Sequence, residues 1–170
     1  MTMAVPFPTM QPPGYDVFSD EPPFDAVRHL QLEMPSERIM LTELGYTDAE
    51  VSTKATEFAV SSPFRVLSDE GAQVMLDTCR RLRAFHRQAG TRIEQVTRGG
   101  CYRSPFLRAL CTSPEVTAHM SVIYGVATAP HPMPLHLGHL NYEPSDLGAS
   151  VDKWHHDTLP LDYVMMVTDP

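Results

Sequence analysis

The distribution of proline restricts the fold of this chain more than any other feature. Sixteen prolines occur in 170 residues, and seven of them lie within the first 35. A proline inside a helix removes a hydrogen bond and clashes with the preceding turn, so this density excludes a long helix there. We therefore expect residues 1–35 to form an extended, Pro-rich lead segment on the protein surface, with aromatic side chains that can attach it to a neighbouring surface.

Helix signals begin directly after the lead segment. Ser36 predicts the cap of a short helix that ends before Gly45. The stretch 47–50, Thr-Asp-Ala-Glu, has the spacing of a capping box, in which the first and fourth side chains each bond to the other's backbone. It predicts a second helix that runs to about Val60.

Three more helices are expected further along the chain. Ser68, followed by two acidic residues, predicts the longest of them, ending at Gly90. Two Ser-Pro pairs, at Ser104 and Ser113, each place a cap before a proline in the first turn and predict two shorter helices, the second stopped by Gly125. The longest helix has an apolar stripe typical of core packing, made of Ala72, Met75, Leu76, Cys79, Leu82 and His86.

Strand-like segments dominate the remainder of the chain. Residues 126–129 and 135–142 are short apolar runs separated by prolines, and a turn-rich passage leads from there into the segment 154–167. Helices come first in this order and strands follow. The sequence therefore predicts an α+β fold in which helices pack on one side of an antiparallel sheet.

Composition excludes several classes of partner. The formal net charge of -8 and a pI near 5.4 argue against binding to a nucleic-acid backbone, which requires a concentrated basic surface. Three cysteines without a CxxC pair suggest neither a disulfide framework nor a zinc site, and we interpret them as reduced thiols of a cytoplasmic protein. No apolar run approaches the ~20 residues that a membrane span requires, so no membrane association is expected.

A histidine and an aspartate near the end of the sequence form the clearest candidate metal site. His155 and Asp157 are two residues apart at the start of an apolar strand, so their side chains point to the same side. Together they make two of the three ligands of the 2-His-1-carboxylate triad that holds non-haem Fe(II). His156 points to the opposite side, and the spacing therefore favours His155 over His156 as the ligand.

The residues around this pair resemble the Fe(II)/2-oxoglutarate-dependent dioxygenases, most closely the phytanoyl-CoA-dioxygenase-like branch. The signature of that branch is Trp-His-x-Asp, which the sequence matches from Trp154 to Asp157. Upstream, residues 64–70 resemble the opening strand and helix of the family. Residues 102–107, 123–125 and 137–142 resemble its lead-in to the barrel, so the resemblance covers roughly residues 60–170.

The resemblance implies a fold, an activity and a ligand set. The fold is a double-stranded β-helix, or jelly roll, with N-terminal helices packed on its first strands. The activity is hydroxylation of a small organic substrate with Fe(II) and 2-oxoglutarate, and the carboxylate of Asp157 favours hydroxylation over halogenation. His155 and Asp157 are the first two iron ligands. The third histidine and the basic residue that anchors 2-oxoglutarate lie outside this sequence, so we expect residues 36–170 to be the N-terminal part of a truncated domain.

Two further residues are candidate contacts for the cosubstrate. Asn141 and Tyr142 lie on the strand expected to flank the iron ligands, where they would touch 2-oxoglutarate or substrate. Packing explains both residues at least as well.

Three alternatives remain open beside this interpretation. His131, His136 and His139 form a loose cluster that is a weaker metal candidate, and Cys101 beside two glycines is a weaker candidate nucleophile. The third alternative to an oxygenase is a non-catalytic fragment or degenerate relative of the family that acts as an interaction module. In either case an open sheet edge predicts self-association.

Overall fold

The computed structural model describes residues 6–89, 93–142 and 159–168. Its α-helices are α1 (Ala26–His29), α2 (Asp48–Val51), α3 (Asp69–Leu82), α4 (Gly100–Arg103), α5 (Pro105–Cys111) and α6 (Pro114–Tyr124). Its strands are β1 (Arg38–Met40), β2 (Phe58–Ser61), β3 (Arg87–Ala89), β4 (Ile93–Thr97) and β5 (Leu140–Tyr142). Two short 3-10 helices cover Leu41–Leu44 and Arg83–Phe85.

The strands form two small antiparallel sheets. β1 pairs with β2, and Arg38 lies opposite Ser61. In the second sheet β4 lies between β3 and β5 and pairs with both. The α+β class predicted from the sequence is confirmed, and the strands of the described ranges form no closed barrel.

Three helices supply most of the core. Met75 and Leu82 of α3, Phe106 and Leu110 of α5, and Ile123 of α6 are all buried. The residues within each pair share one helix face, since their spacing of four or seven corresponds to about one or two turns. Burying an apolar side chain of this size contributes about 1.5–3 kcal/mol relative to leaving it exposed.

The lead segment lies along this core. The amide of Phe18 donates to the carbonyl of Arg103 in α4 (2.8 Å), and the amide of Gln31 donates to the carbonyl of Val66 (2.9 Å). These hydrogen bonds connect it to the chain before α3 and to α4. Its aromatic side chains that pack on the core are Phe7, Phe18 and Phe24.

Helix α1 of the lead segment approaches α3 very closely. An ideal Cβ placed on Gly71 would lie 2.2 Å from the carbonyl oxygen of His29. Only a glycine fits at this contact, so Gly71 permits the lead segment to dock on α3.

The helix predicted between Ser36 and Gly45 is wrong for most of its length. Arg38–Met40 form β1, and only Leu41–Leu44 are helical, in a 3-10 turn that ends at Gly45. The hydroxyl of Ser36 forms a hydrogen bond with the hydroxyl of Ser62 (3.0 Å) instead of capping a helix. Pairing with β2 outweighs the local preference, because a strand gains hydrogen bonds from a partner distant in sequence.

The capping box at Thr47 is confirmed, but the helix it opens is short. The Thr47 hydroxyl accepts from the amide of Glu50 (3.4 Å), and the amide of Thr47 donates to the Glu50 carboxylate (2.8 Å). α2 ends at Val51, so the predicted end at about Val60 is wrong. Phe58–Ser61 instead form β2, which pairs with β1.

The other three predicted helices, α3, α5 and α6, begin where their serine caps predict. The hydroxyls of Ser68, Ser104 and Ser113 accept from backbone amides three residues ahead, at 3.1, 2.9 and 3.2 Å. α6 ends at Gly125, as expected. The predicted end of α3 at Gly90 is wrong, because the 3-10 turn and β3 occupy that stretch. The buried residues of α3 are Gly71, Met75, Thr78 and Leu82, which differ in part from the predicted stripe.

The predicted order of helices followed by strands is also wrong. β1 and β2 precede α3, and β3 and β4 precede α4. Residues 126–129 form no strand, and only Leu140–Tyr142 of the segment 135–142 do so. Residues 159–167, the described part of the predicted segment 154–167, form no strand. Strand pairing depends on partners from separate parts of the chain, which local apolar runs do not reveal.

Helix length bears on membrane insertion. α3, the longest helix of the described ranges, has 14 residues, whereas a spanning helix needs about 20. No helix in these ranges is both long enough and apolar enough to cross a bilayer.

Candidate metal centre

The predicted iron ligands follow β5 in the chain. His155 and Asp157 lie outside the described residues, as do Trp154 and the competing His156. The described chain stops at Tyr142 before this stretch and resumes at residue 159. The assignment of the two ligands therefore stays a prediction from the sequence.

β5 carries the two predicted cosubstrate contacts on opposite faces. Asn141 lies opposite Val96 of β4, and Tyr142 lies opposite Gln95. Successive side chains of a strand point to opposite sides, and accordingly Asn141 is exposed while Tyr142 is half-buried. A small ligand on one side of the sheet would therefore contact one of these residues and not both.

The hydroxyl of Tyr142 connects β5 to the interior. It donates to the carbonyl of Cys79 in α3 (3.3 Å) and accepts from the hydroxyl of Thr97 in β4 (3.3 Å). Burial raises the pKa of Tyr142, so the phenol stays protonated at neutral pH and keeps its proton for the Cys79 carbonyl. These contacts give Tyr142 a structural role that holds β5 against α3.

Two of the three upstream histidines come together. The rings of His131 and His136 stack with 5.7 Å between centroids and 13° between planes. Nδ1 of His131 accepts from the amide of Met133 (2.9 Å), and Nδ1 of His136 accepts from the guanidinium of Arg98 (2.7 Å). Burial lowers the pKa of His136, and the positive charge of Arg98 lowers it further.

This stacked pair is poorly suited to hold a cation. Each Nδ1 already accepts from an N–H donor, so the neutral rings carry their proton on Nε2 and offer no free lone pair to a metal. No group of three or more His, Cys, Asp or Glu side chains in the described part of the chain could hold a metal ion. The alternative metal site at His131, His136 and His139 therefore loses support.

Arg98 is a member of this cluster that the sequence did not reveal. It lies 38 residues before His136, and no local motif links the two. The amide of Gly99 donates to the carbonyl of Leu135 (2.8 Å), which brings Arg98 beside the histidine loop. The only nearby sequence signal is the Gly99-Gly100 pair, where an added Cβ would lie 2.7 Å from the side chain of Tyr15 and 3.0 Å from that of Leu107.

Segment 159–168 packs on the core beside α6. The hydroxyl of Tyr124 donates to the carbonyl of Asp162 (2.9 Å), and burial raises the pKa of Tyr124 to about 12, so this donor persists at neutral pH. Leu161, Met165 and Val167 contact the core. Other apolar side chains of the segment point outward: Val164 is 82% exposed and Met166 is 67% exposed.

A cleft of about 520 Å³ lies at α2, β2 and the end of α6. Its walls combine apolar side chains with Arg38, Lys54 and Glu57. The Arg38 guanidinium is already engaged, because it donates to the carbonyls of Val122 (3.4 Å) and Ile123 (3.2 Å) at the end of α6. None of the site residues predicted from the sequence lines this cleft.

No protein-family model matches the chain, and neither does any curated protein or solved structure. The resemblance to the dioxygenases therefore rests on the stretch from Trp154 to Asp157 and on the upstream segments that accompany it.

Proposed function

We propose that residues 36–170 are the N-terminal part of an Fe(II)- and 2-oxoglutarate-dependent oxygenase domain that hydroxylates a small organic substrate. The observation that carries this proposal is the sequence Trp154-His155-His156-Asp157, which resembles the Trp-His-x-Asp signature. His155 and Asp157 would supply an imidazole and a carboxylate, two of the three ligands of an iron triad. The bound iron and 2-oxoglutarate would supply the oxidising chemistry.

The proposed fold of the whole domain is a double-stranded β-helix. The antiparallel pairing of β3, β4 and β5 supports it, because such barrels are built from antiparallel strands. β5 is an outer strand of its described sheet and precedes the Trp154 stretch in the chain. In this proposal the sheet belongs to the first strands of the barrel, and the helices α3, α5 and α6 pack against them.

Asn141 is the favoured cosubstrate contact of the two candidates. Its side chain is exposed, and the NH2 group of its amide can donate to a carboxylate oxygen of 2-oxoglutarate. The hydroxyl of Tyr142 is already occupied by Cys79 and Thr97. In the proposed site Tyr142 would hold β5 in place while Asn141 meets the ligand.

The proposal also assigns a cytoplasmic location and excludes nucleic-acid and membrane partners. Its support is the net charge of -8 and the three free cysteines, Cys79, Cys101 and Cys111. Free thiols are typical of proteins kept in a reducing compartment.

A second candidate function is a non-catalytic interaction module. The observation that favours it is the exposed apolar side of segment 159–168, with Val164 and Met166. Contiguous exposed apolar side chains often mark a contact surface for another chain.

Substitution of the predicted ligands tests the catalytic proposal on the full-length protein. We expect His155→Ala and Asp157→Ala each to reduce bound iron and succinate release to background, because each removes a bond to the metal. His156→Ala is the matched control. Its side chain would point away from the iron, and loss of an outer partner costs at most about 10-fold to 100-fold.

The three variants are compared by metal analysis and by succinate release in the presence of added Fe(II) and 2-oxoglutarate. An inactive His156→Ala beside an active His155→Ala would show that the ligand assignment is wrong. Unchanged iron content in all three variants would reject the oxygenase and favour the interaction module.

A further inference from the structure

Two of the three cysteines have their sulfur atoms against one glycine. Cys101 lies in α4 and Cys111 is the last residue of α5. An ideal Cβ placed on Gly138 would lie 2.8 Å from the sulfur of Cys111 and 3.2 Å from the sulfur of Cys101, so the sulfurs are at most 6.0 Å apart. Gly138 has a φ of +58°, where a side chain would be strained as well as too close to both sulfurs.

The two thiols differ in access to solvent. The side chain of Cys101 is fully buried, and its thiol donates to the carbonyl of Leu137 (3.3 Å). Cys111 is only half-buried, so it is the more accessible of the two to a reagent in solvent. The neighbouring thiol of Cys111 raises the pKa of Cys101, and burial raises it further.

We propose that Cys101 and Cys111 form an oxidative modification site at which a hydroperoxide joins them in an intramolecular disulfide. The Cys111 sulfur attacks the peroxide, the O–O bond breaks, and the products are a sulfenic acid and an alcohol, or water when the oxidant is hydrogen peroxide. The Cys101 sulfur then attacks the sulfenic sulfur. The S–S bond forms, and the hydroxyl leaves with the Cys101 proton as water.

The position of the pair favours this second step over further oxidation of Cys111. The resolving sulfur of Cys101 is held beside Cys111, whereas a second peroxide must diffuse to it from solvent. Closing the bond brings the sulfurs to about 2.0 Å and needs a shift of the α5 end. The chain between the two cysteines is short, so the bond is expected to be readily reducible. This inference does not depend on the proposed iron site.

Peroxide treatment followed by thiol counting tests the proposal. We expect hydrogen peroxide to lower the number of alkylatable thiols under denaturing conditions from three to one. The intact mass should fall by two hydrogen atoms, and a non-reduced peptide map should link Cys101 to Cys111. Dithiothreitol should restore all three thiols.

Two variants make the result specific. Cys79→Ser is the matched control, because Cys79 lies in α3 and its sulfur is not among the atoms nearest to Gly138, and this variant should still form the link. Cys111→Ser should form none and should leave Cys101 alkylatable. Sulfinic acid at Cys111 with Cys101 still alkylatable would overturn the proposal, as would a disulfide that includes Cys79 or joins two chains.

Discussion

A single carboxylate, Glu21, joins the lead segment to two helices. One of its oxygens accepts from the hydroxyl of Thr78 in α3 (3.1 Å). The other accepts from the hydroxyl of Ser104 (2.8 Å) and from the amide of Phe106 (3.1 Å) at the start of α5. The negative charge also suits the positive end of that helix. Glu21 therefore holds the lead segment, α3 and α5 together through one side chain.

Replacement of Glu21 should destabilise the fold. We expect Glu21→Ala to lower the free energy of unfolding by about 2 kcal/mol, because three donors lose a charged acceptor in a half-buried place. Glu21→Gln keeps one acceptor oxygen and should cost about 1 kcal/mol. Urea denaturation measures both effects as a shift of the midpoint with an unchanged slope.

The exposed Glu57 supplies the control for this prediction. Glu57→Ala should change the free energy of unfolding by less than about 0.5 kcal/mol, as is usual for a surface substitution. If Glu21→Ala shifted the midpoint no more than Glu57→Ala, the carboxylate would have no part in docking the lead segment.

Helix α6 shows how a local motif and the core act together. Ser113 caps it by accepting from the amide of Val116 (3.2 Å), Pro114 occupies the first turn, and Gly125 ends it with a φ of 67°. Between these ends, Ile123 and Met120 are buried in the core. The caps determine where the helix begins and ends, and burial of its apolar side stabilises it.

Removing the cap of α6 should destabilise the fold, whereas removing Ser36, which only resembles a cap in the sequence, should not. We expect Ser113→Ala to lower the free energy of unfolding by about 1 kcal/mol, since the Val116 amide loses its acceptor. Ser36→Ala should cost less than about 0.5 kcal/mol, because Ser36 is exposed and its hydroxyl bonds to the hydroxyl of Ser62 beside β2 instead of to a helix amide. Thermal or urea unfolding of the two variants gives the comparison. Equal losses would indicate that Ser36 caps a helix after all.

The molecule as a whole presents an apolar strip along segment 159–168. Val164 and Met166 are exposed, while Leu161 and Val167 face the core. Residues 163–167 contain no charge and no proline. Segments with this composition pair readily with another extended chain.

We therefore expect the 170-residue chain to self-associate in solution. Its weight-average mass by analytical ultracentrifugation should rise with concentration. The double substitution Val164→Lys and Met166→Lys should shift the chain towards the monomer, because two charges on the strip oppose pairing. The matched control is Val27→Lys, at a position that is 93% exposed on α1 and should leave association unchanged. A concentration-independent monomer would argue against any docking through this segment.

Short-range signals in the amino-acid sequence determine where most of the helices begin. The starts of α2, α3, α5 and α6 follow from a Ser or Thr cap that bonds to an amide three residues ahead. The candidate iron ligands are of the same kind, since His155 and Asp157 stand in one short motif. Such features depend on neighbours within about one helical turn or strand repeat, so the order of residues along the chain specifies them.

Long-range contacts decided the rest. β1 and β2 form because they pair with each other, with Arg38 opposite Ser61. This pairing replaces two helical stretches that the sequence predicted. Tyr142 takes a structural role because its hydroxyl reaches Cys79 in α3, and Cys101 lies beside Cys111 because both pack on Gly138. In each contact the partner is distant in sequence and comes near only when the core folds. A hydrogen bond or packing contact of this kind leaves no periodic trace in the local sequence, and so it became visible only in the folded chain.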